Sequence, residues 1–179
     1  MSARPGSRKP RRTAAAQPEF RSGIGYDIHR FARSRKRPLV LGGVHIPDAR
    51  GLEGHSDADV LSHAIADALL GAVGERDIGH HFPNTDASIR GISSLAILAR
   101  VREIVEARGG RIVNIDASLV AEAPRIGPFL EPMRAAIGEA LGISLDRIGI
   151  KATTNERLGA LGRREGIAAV AVGCVAIGG

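Results

Sequence analysis

Three residues in the N-terminal half of this 179-residue chain carry its most legible chemistry. Asp27 and His29 stand two apart, and an extended strand sends alternate side chains to the same face. His63 follows in a segment with helical apolar spacing. One carboxylate and two imidazoles form the donor set of an open zinc site, whose fourth position takes water or a substrate oxygen. Either histidine alone reads as structural or exposed, so the metal reading rests on the three together, with the structural reading beside it. A cysteine-based zinc module is excluded because Cys174 is the only cysteine.

Two other segments place polar groups at element ends. In residues 151–156, Thr153, Thr154 and Asn155 offer hydroxyls and backbone N–H groups for phosphate oxygens, and Glu156 offers a carboxylate for Mg²⁺. The same residues also read as ordinary turn chemistry. Arg163, in a Gly-rich stretch, is placed to face an anion. Residues 121–128 lie between a strand pattern and a helix pattern, a usual position for a ligand-binding loop.

Residues 23–31 read as the strand that holds Asp27 and His29. Residues 39–41 form a short strand ended by Gly42 and Gly43, with residues 44–46 continuing it. Ser56 reads as a helix N-cap with Asp57 and Asp59 in the first turn, ahead of the apolar stripe Val60, Leu61, Ala64, Ile65, Ala68 and Leu69. Asp59, His63 and Asp67 fall four apart, so one carboxylate is placed to receive the second N–H of His63. Ser93 or Ser94 caps a second helix, and Pro128 opens a third. Residues 111–120 alternate, with Val113, Ile115 and Ala117 on one face; residues 148–152 and 167–177 are further strands. Strands and helices mix throughout, so the fold class is α/β or α+β with a single sheet.

Hydrophobic residues make up 44% of the chain but aromatics only 3%, so the core must be built from Ala, Ile, Leu and Val. No apolar run reaches the ~20 residues of a membrane span, and the N-terminus lacks the apolar segment of a signal peptide. A single cysteine fits a reducing cytoplasm. In residues 1–22, Arg4, Arg8, Lys9, Arg11, Arg12 and Arg21 against Glu19 leave +5 of the chain's net +6. The sequence thus predicts a disordered basic tail over 1–22 and one domain over 23–179. Nucleic-acid binding driven by that tail is the reading from another class, and it has no use for Asp27, His29 and His63.

Gly25-Tyr26-Asp27-Ile28-His29-Arg30-Phe31, Leu41-Gly42-Gly43-Val44, Gly54-His55-Ser56-Asp57-Ala58-Asp59-Val60, Asp67 to Ala72, Asp77-Ile78-Gly79, Phe82-Pro83 and Lys151-Ala152-Thr153-Thr154 through Glu165-Gly166 together resemble 2-C-methyl-D-erythritol 2,4-cyclodiphosphate synthases. The resemblance runs from about residue 23 to the C-terminus. It implies a metal-dependent, CMP-releasing phosphorus–oxygen lyase of non-mevalonate isoprenoid biosynthesis, acting on 4-diphosphocytidyl-2-C-methyl-D-erythritol 2-phosphate. It further implies an α/β protomer, an α+β sandwich with helices on one face of the sheet, and a homotrimer whose sheets pack about a central axis, with active sites between neighbours and the small residues Ala168, Ala169, Ala171 and Gly173 at the sheet packing.

Carried over by position, the resemblance makes Asp27, His29 and His63 ligands of one Zn²⁺, and Glu156 the ligand of a Mg²⁺ or Mn²⁺ ion on the substrate diphosphate. His55 and Thr154 become transition-state stabilisers. Ser56, Asp77, Ile78, Gly79, Phe82, Asp86, Thr153, Asn155 and Arg163 become substrate contacts, and Ala121, Pro124, Arg125, Ile126 and Gly127 the cytosine pocket. Asn84 stands where many members carry Asp, Arg125 where Lys is frequent, and Ala160 where some place an aromatic on the trimer axis. A metal-dependent phosphoesterase using the same ligands to activate water is the nearest rival; it would release inorganic phosphate rather than CMP.

Overall fold

The computed structural model describes residues 17–178, apart from 35, 84 and 86–90. Asp86 and residues 1–16 of the basic tail therefore lie outside the described residues. Four strands form a mixed sheet in the order β1 (Glu19–Arg30), β6 (Gly166–Ile177), β4 (Gly110–Val120) and β5 (Ile148–Thr153). β6 pairs antiparallel with both β1 and β4, while β4 and β5 run parallel. The parallel pair needs a crossover, supplied by the helix α4 (Leu130–Leu141). β1 begins at Glu19, four residues before the expected start.

The sheet is not single. β2 (Leu39–Leu41) and β3 (Val44–Ile46) form a separate two-stranded hairpin. Residues 44–46 turn back on 39–41 instead of continuing them, because Gly42 and Gly43 both take positive φ and reverse the chain.

Helix α1 (Val60–Ala72) lies across β1 and β6, and it packs against α3 (Ser94–Ala107), which in turn meets α4. The close approach of α1 to β1 depends on two glycines: a Cβ on Gly23 would fall 2.1 Å from the Ala68 carbonyl oxygen, and one on Gly25 would fall 1.9 Å from that of Ala64. Helix backbone thus rests directly on strand backbone. Buried Leu, Ile, Val and Ala form the core between sheet and helices, with Met133. On β4 a bulge separates Ile112 from Asn114, so Ile112 rather than Val113 joins Ile115 and Ala117 in the core.

The opposite face of the sheet leaves Phe20, Ile24, Tyr26, Ile28 and Val172 exposed, Ile24 by 72%. This corrects the expected packing surface. Ala168, Ala169, Ala171 and Gly173 are all buried; Ala169, Ala171 and Gly173 alternate toward the helices while Ala168 keeps to the expected face, and a Cβ on Gly173 would meet Leu69 at 2.8 Å. Small residues here accommodate α1, while the larger Val170 and Val172 point the other way. Among the described residues no helix is long and apolar enough to cross a membrane.

Candidate active site

Helix α1 starts at Val60, and its N-cap is Asp59, not Ser56. The fully buried Asp59 carboxylate accepts from the N–H and hydroxyl of Ser62 (3.1 and 2.7 Å) and from the N–H groups of Gly42 and Gly43 (2.8 and 2.7 Å). Burial pushes this carboxyl upward against those four donors. One side chain thereby joins the hairpin turn to the start of α1, four residues before His63.

β1 holds Asp27 and His29 on its helix-facing side, and α1 lowers His63 onto them. Asp27 Oδ2 is 3.0 Å from His29 Nε2 and 3.0 Å from His63 Nδ1, and one donor atom from each residue falls within 4.8 Å of the others. The remaining ring nitrogen of His29, Nδ1, sits 2.5 Å from the Glu53 carbonyl, so Nε2 is left for a ligand. Burial alone would raise the Asp27 carboxyl, but the two imidazoles together outweigh it and hold the group well below the ordinary range. His29 is raised, chiefly by its hydrogen bond to Asp27. A carboxylate and two imidazoles converging with their outer nitrogens engaged fit a tetrahedral cation with one open position.

Neither the Asp59 nor the Asp67 carboxylate partners the His63 ring. Asp67 instead accepts from the Ile78 N–H at 2.8 Å, fixing the single-turn helix α2 (Ile78–His81) beside the site. The second nitrogen of His63 faces Ser94 and Ser56 hydroxyls at 3.0 and 3.2 Å. Ser94, read in the sequence as a possible cap, had no other signal; Ser93 takes the cap of α3 and leaves Ser94 free to turn inward.

A cavity of about 220 Å³ opens over the three donors, lined also by His55, Ser56, Ile78, Gly79 and Phe82. Five sequence-derived contacts thus gather around the metal set. Asp77 lies just outside, capping α2 through the His80 N–H at 3.0 Å. Arg37, read only as part of a basic loop, donates to the carbonyls of Gly54 (2.9 Å) and Ser56 and so braces the His55 segment.

The other expected residues form a second group elsewhere. Thr153 ends β5, Thr154 Oγ1 donates to Glu156 at 2.9 Å, and the N–H groups of Asn155 and Arg157 both donate to Glu122 (3.0 and 2.9 Å). Glu122, unassigned from sequence, therefore ties this loop to residues 121–127. Ala121 and Ile126 are buried, Pro124 is half-buried, and Arg125 and Gly127 are exposed. Arg163 donates to Glu165 at 2.6 Å, so the arginine expected to face an anion already has a carboxylate partner. None of residues 121–127 or 153–156 lines the cavity over Asp27, His29 and His63. The sheet explains the separation. β1 and β5 are opposite edges, three strand steps apart, or roughly 14 Å.

Residues 20–176 match the model of the YgbB family. The chain belongs to that family. The 2-C-methyl-D-erythritol 2,4-cyclodiphosphate synthase of Akkermansia muciniphila is 67% identical over 154 residues, covering 86% of this chain and 90% of the relative. The synthase of the same name from Chlorobium phaeobacteroides is 54% identical, covering 86% and 96%. Among solved structures, the CDP complex of IspF from Plasmodium falciparum superposes with a TM-score of 0.77 at 31% identity, covering 89% of this chain and 97% of that one. The bifunctional IspDF of Campylobacter jejuni gives 0.86 at 37% identity; 91% of this chain matches 44% of that longer one. The mixed α/β architecture is thus shared with these solved structures.

Proposed function

We propose that this protein is a 2-C-methyl-D-erythritol 2,4-cyclodiphosphate synthase of non-mevalonate isoprenoid biosynthesis, converting 4-diphosphocytidyl-2-C-methyl-D-erythritol 2-phosphate to the cyclic diphosphate and CMP. The observation that carries the reading is the convergence of Asp27, His29 and His63 beneath a cavity lined by His55 and Ser56. An oxygen of the 2-phosphate forms a bond to the β-phosphorus, and the bond from that phosphorus to the oxygen of CMP breaks. The substrate supplies its own nucleophile, so the chain needs no Ser/His/Asp triad. Its task is to bring two anionic groups into line and to neutralise them.

Asp27, His29 and His63 would hold Zn²⁺, which supplies Lewis acidity and a template at the β-phosphate. Glu156 would hold Mg²⁺ or Mn²⁺ together with the diphosphate. His55 and Thr154 donate to charge developing on the reacting phosphates, and Ser56 lies beside them. Asp77 and Gly79 take the ribose, and Ile78, Phe82 and Asp86 are further substrate contacts. Ala121, Pro124, Arg125, Ile126 and Gly127 take the base, while Thr153 and Asn155 take phosphate oxygens. Arg163 stays a substrate contact only by sharing its charge with Glu165.

This division supports a homotrimer. Donors for the metal lie on one sheet edge and the Thr153–Glu156 group on the other, so a ring of protomers meeting edge to edge completes the site. The uncovered apolar face with Phe20, Ile24 and Tyr26 gives such a ring its buried surface. The free Cys174 fits a reducing cytoplasm.

Incubation of the purified protein with the diphosphocytidyl substrate, followed by ³¹P NMR, should show CMP and the cyclic product in equal amounts. Release of inorganic phosphate instead would identify a hydrolase and reject the reading.

A further inference from the structure

His63 meets the metal set through Nδ1, 3.0 Å from Asp27 Oδ2, and its other nitrogen faces two hydroxyls that are held differently. Ser94 is fully buried. Its hydroxyl donates to Oδ1 of Asp57, and its backbone N–H donates to Oδ2 of the same carboxylate at 2.8 Å. With that proton committed, the Ser94 oxygen can offer only lone pairs to His63 Nε2, 3.0 Å away. Nε2 must then carry the ring hydrogen. Nδ1 is left with its lone pair aimed at the space between Asp27 and His29.

Ser56 imposes no such choice. Its oxygen accepts from the Ala58 N–H at 3.1 Å, and among the described residues no carboxylate or carbonyl fixes its own proton, so it serves either tautomer at its longer 3.2 Å contact.

We propose that Asp57 and Ser94 form a relay that sets the tautomer and aim of His63, making both positioning residues of the metal centre. Carboxylates commonly hold metal-bound imidazoles directly; here a buried serine extends the reach of the carboxylate across two elements. The relay also locks α3, which carries Ser94, to α1, which carries His63, so ligand geometry and helix packing are set by the same contact. The proposal rests on the metal reading above.

The test measures Zn²⁺ affinity of the full chain by chelator competition, and the visible spectrum of the Co²⁺ form, for wild type, Ser94→Ala, Asp57→Asn, the double variant and Ser56→Ala. Far-UV circular dichroism checks each fold. Ser94→Ala should bind zinc roughly 10- to 100-fold more weakly, the range typical when outer support of a ligand is lost. Asp57→Asn, which keeps the serine and its volume, should lose less, and the double variant no more than Ser94→Ala alone, because both act through one chain of contacts. The Co²⁺ bands should shift in both single variants and stay put in Ser56→Ala. If Ser94→Ala does not fold, Asp57→Asn carries the same test. Wild-type affinity in both Ser94→Ala and Asp57→Asn would overturn the relay while leaving the metal site standing. A wild-type protein that binds no zinc tightly would overturn the metal reading and the relay with it.

Discussion

Replacing Gly25 with Ala should separate the metal ligands without touching any of them. The added Cβ would fall 1.9 Å from the Ala64 carbonyl oxygen and 2.8 Å from the Ala68 amide nitrogen, both helix backbone that no rotamer change can move aside. A carbon–oxygen contact needs about 3.3 Å, so α1 must retreat from β1 by roughly 1.4 Å. His63 precedes Ala64 on that helix, and Asp27 follows Gly25 by two residues on the same strand face. The retreat therefore opens the donor set directly, well beyond the ~0.5 Å within which a site keeps its geometry. Overpacking of this kind costs about 1–3 kcal/mol, which for a chain of this size lowers Tm by about 2–12 °C. Zinc affinity should fall on the order of tenfold or more, the scale of lost ligand support. Gly71→Ala is the control: on the same helix, its Cβ would meet only the Gly23 Cα at 3.9 Å, and the gain in helix propensity should stabilise by about 0.5–1 kcal/mol. Calorimetry with and without zinc reads both effects. Gly25→Ala with wild-type Tm and wild-type zinc affinity would refute the claim that backbone contact between β1 and α1 sets the site.

Ile24→Arg, on the uncovered face, should convert the assembly to monomers by light scattering with little change in the circular dichroism spectrum; a monomeric wild type would reject the trimer outright. Arg37→Ala should free the His55 segment and lower kcat roughly tenfold through misplacement, and Arg37→Lys should restore little, since one ammonium cannot reproduce the guanidinium fork on two carbonyls; unchanged kcat in both variants would remove Arg37 from the site. Zinc affinity should climb with pH through and somewhat above the ordinary imidazole value of about 6.5, because the raised His29 must lose its proton to ligate while the depressed Asp27 stays ionised throughout. The His29–Asp27 contact of the metal-free protein runs the opposite way: its stabilisation is full below that value and is lost as pH rises through the raised one. An affinity flat between pH of about 6 and 8 would argue against His29 as a ligand.

Period-two alternation and apolar spacing marked Asp27, His29 and His63 as candidate donors, because each fact is local to one element, and the fold brings the three together. The failures all concern what one element does to another. Asp59 looked like a first-turn charge, yet the hairpin turn at Gly42 and Gly43 recruits it as the cap and shifts the helix start to Val60. Ala169, Ala171 and Gly173 looked suited to an axis because small residues permit close approach, and the sequence is silent on whether the approaching partner is α1 or another sheet. Ser94 lies 31 residues from His63, and its role exists only once α3 docks on α1. The division of the expected substrate contacts into two groups follows from the order β1-β6-β4-β5, which no single segment encodes.

That strand order bears on how such an enzyme responds to dilution. With Asp27 and His29 on one edge of the sheet and the Thr154–Glu156 loop on the far edge, a solitary protomer of the proposed trimer would keep both groups intact without their ever facing each other. Specific activity would then drop with protein concentration below the association range, while zinc content per chain stayed constant.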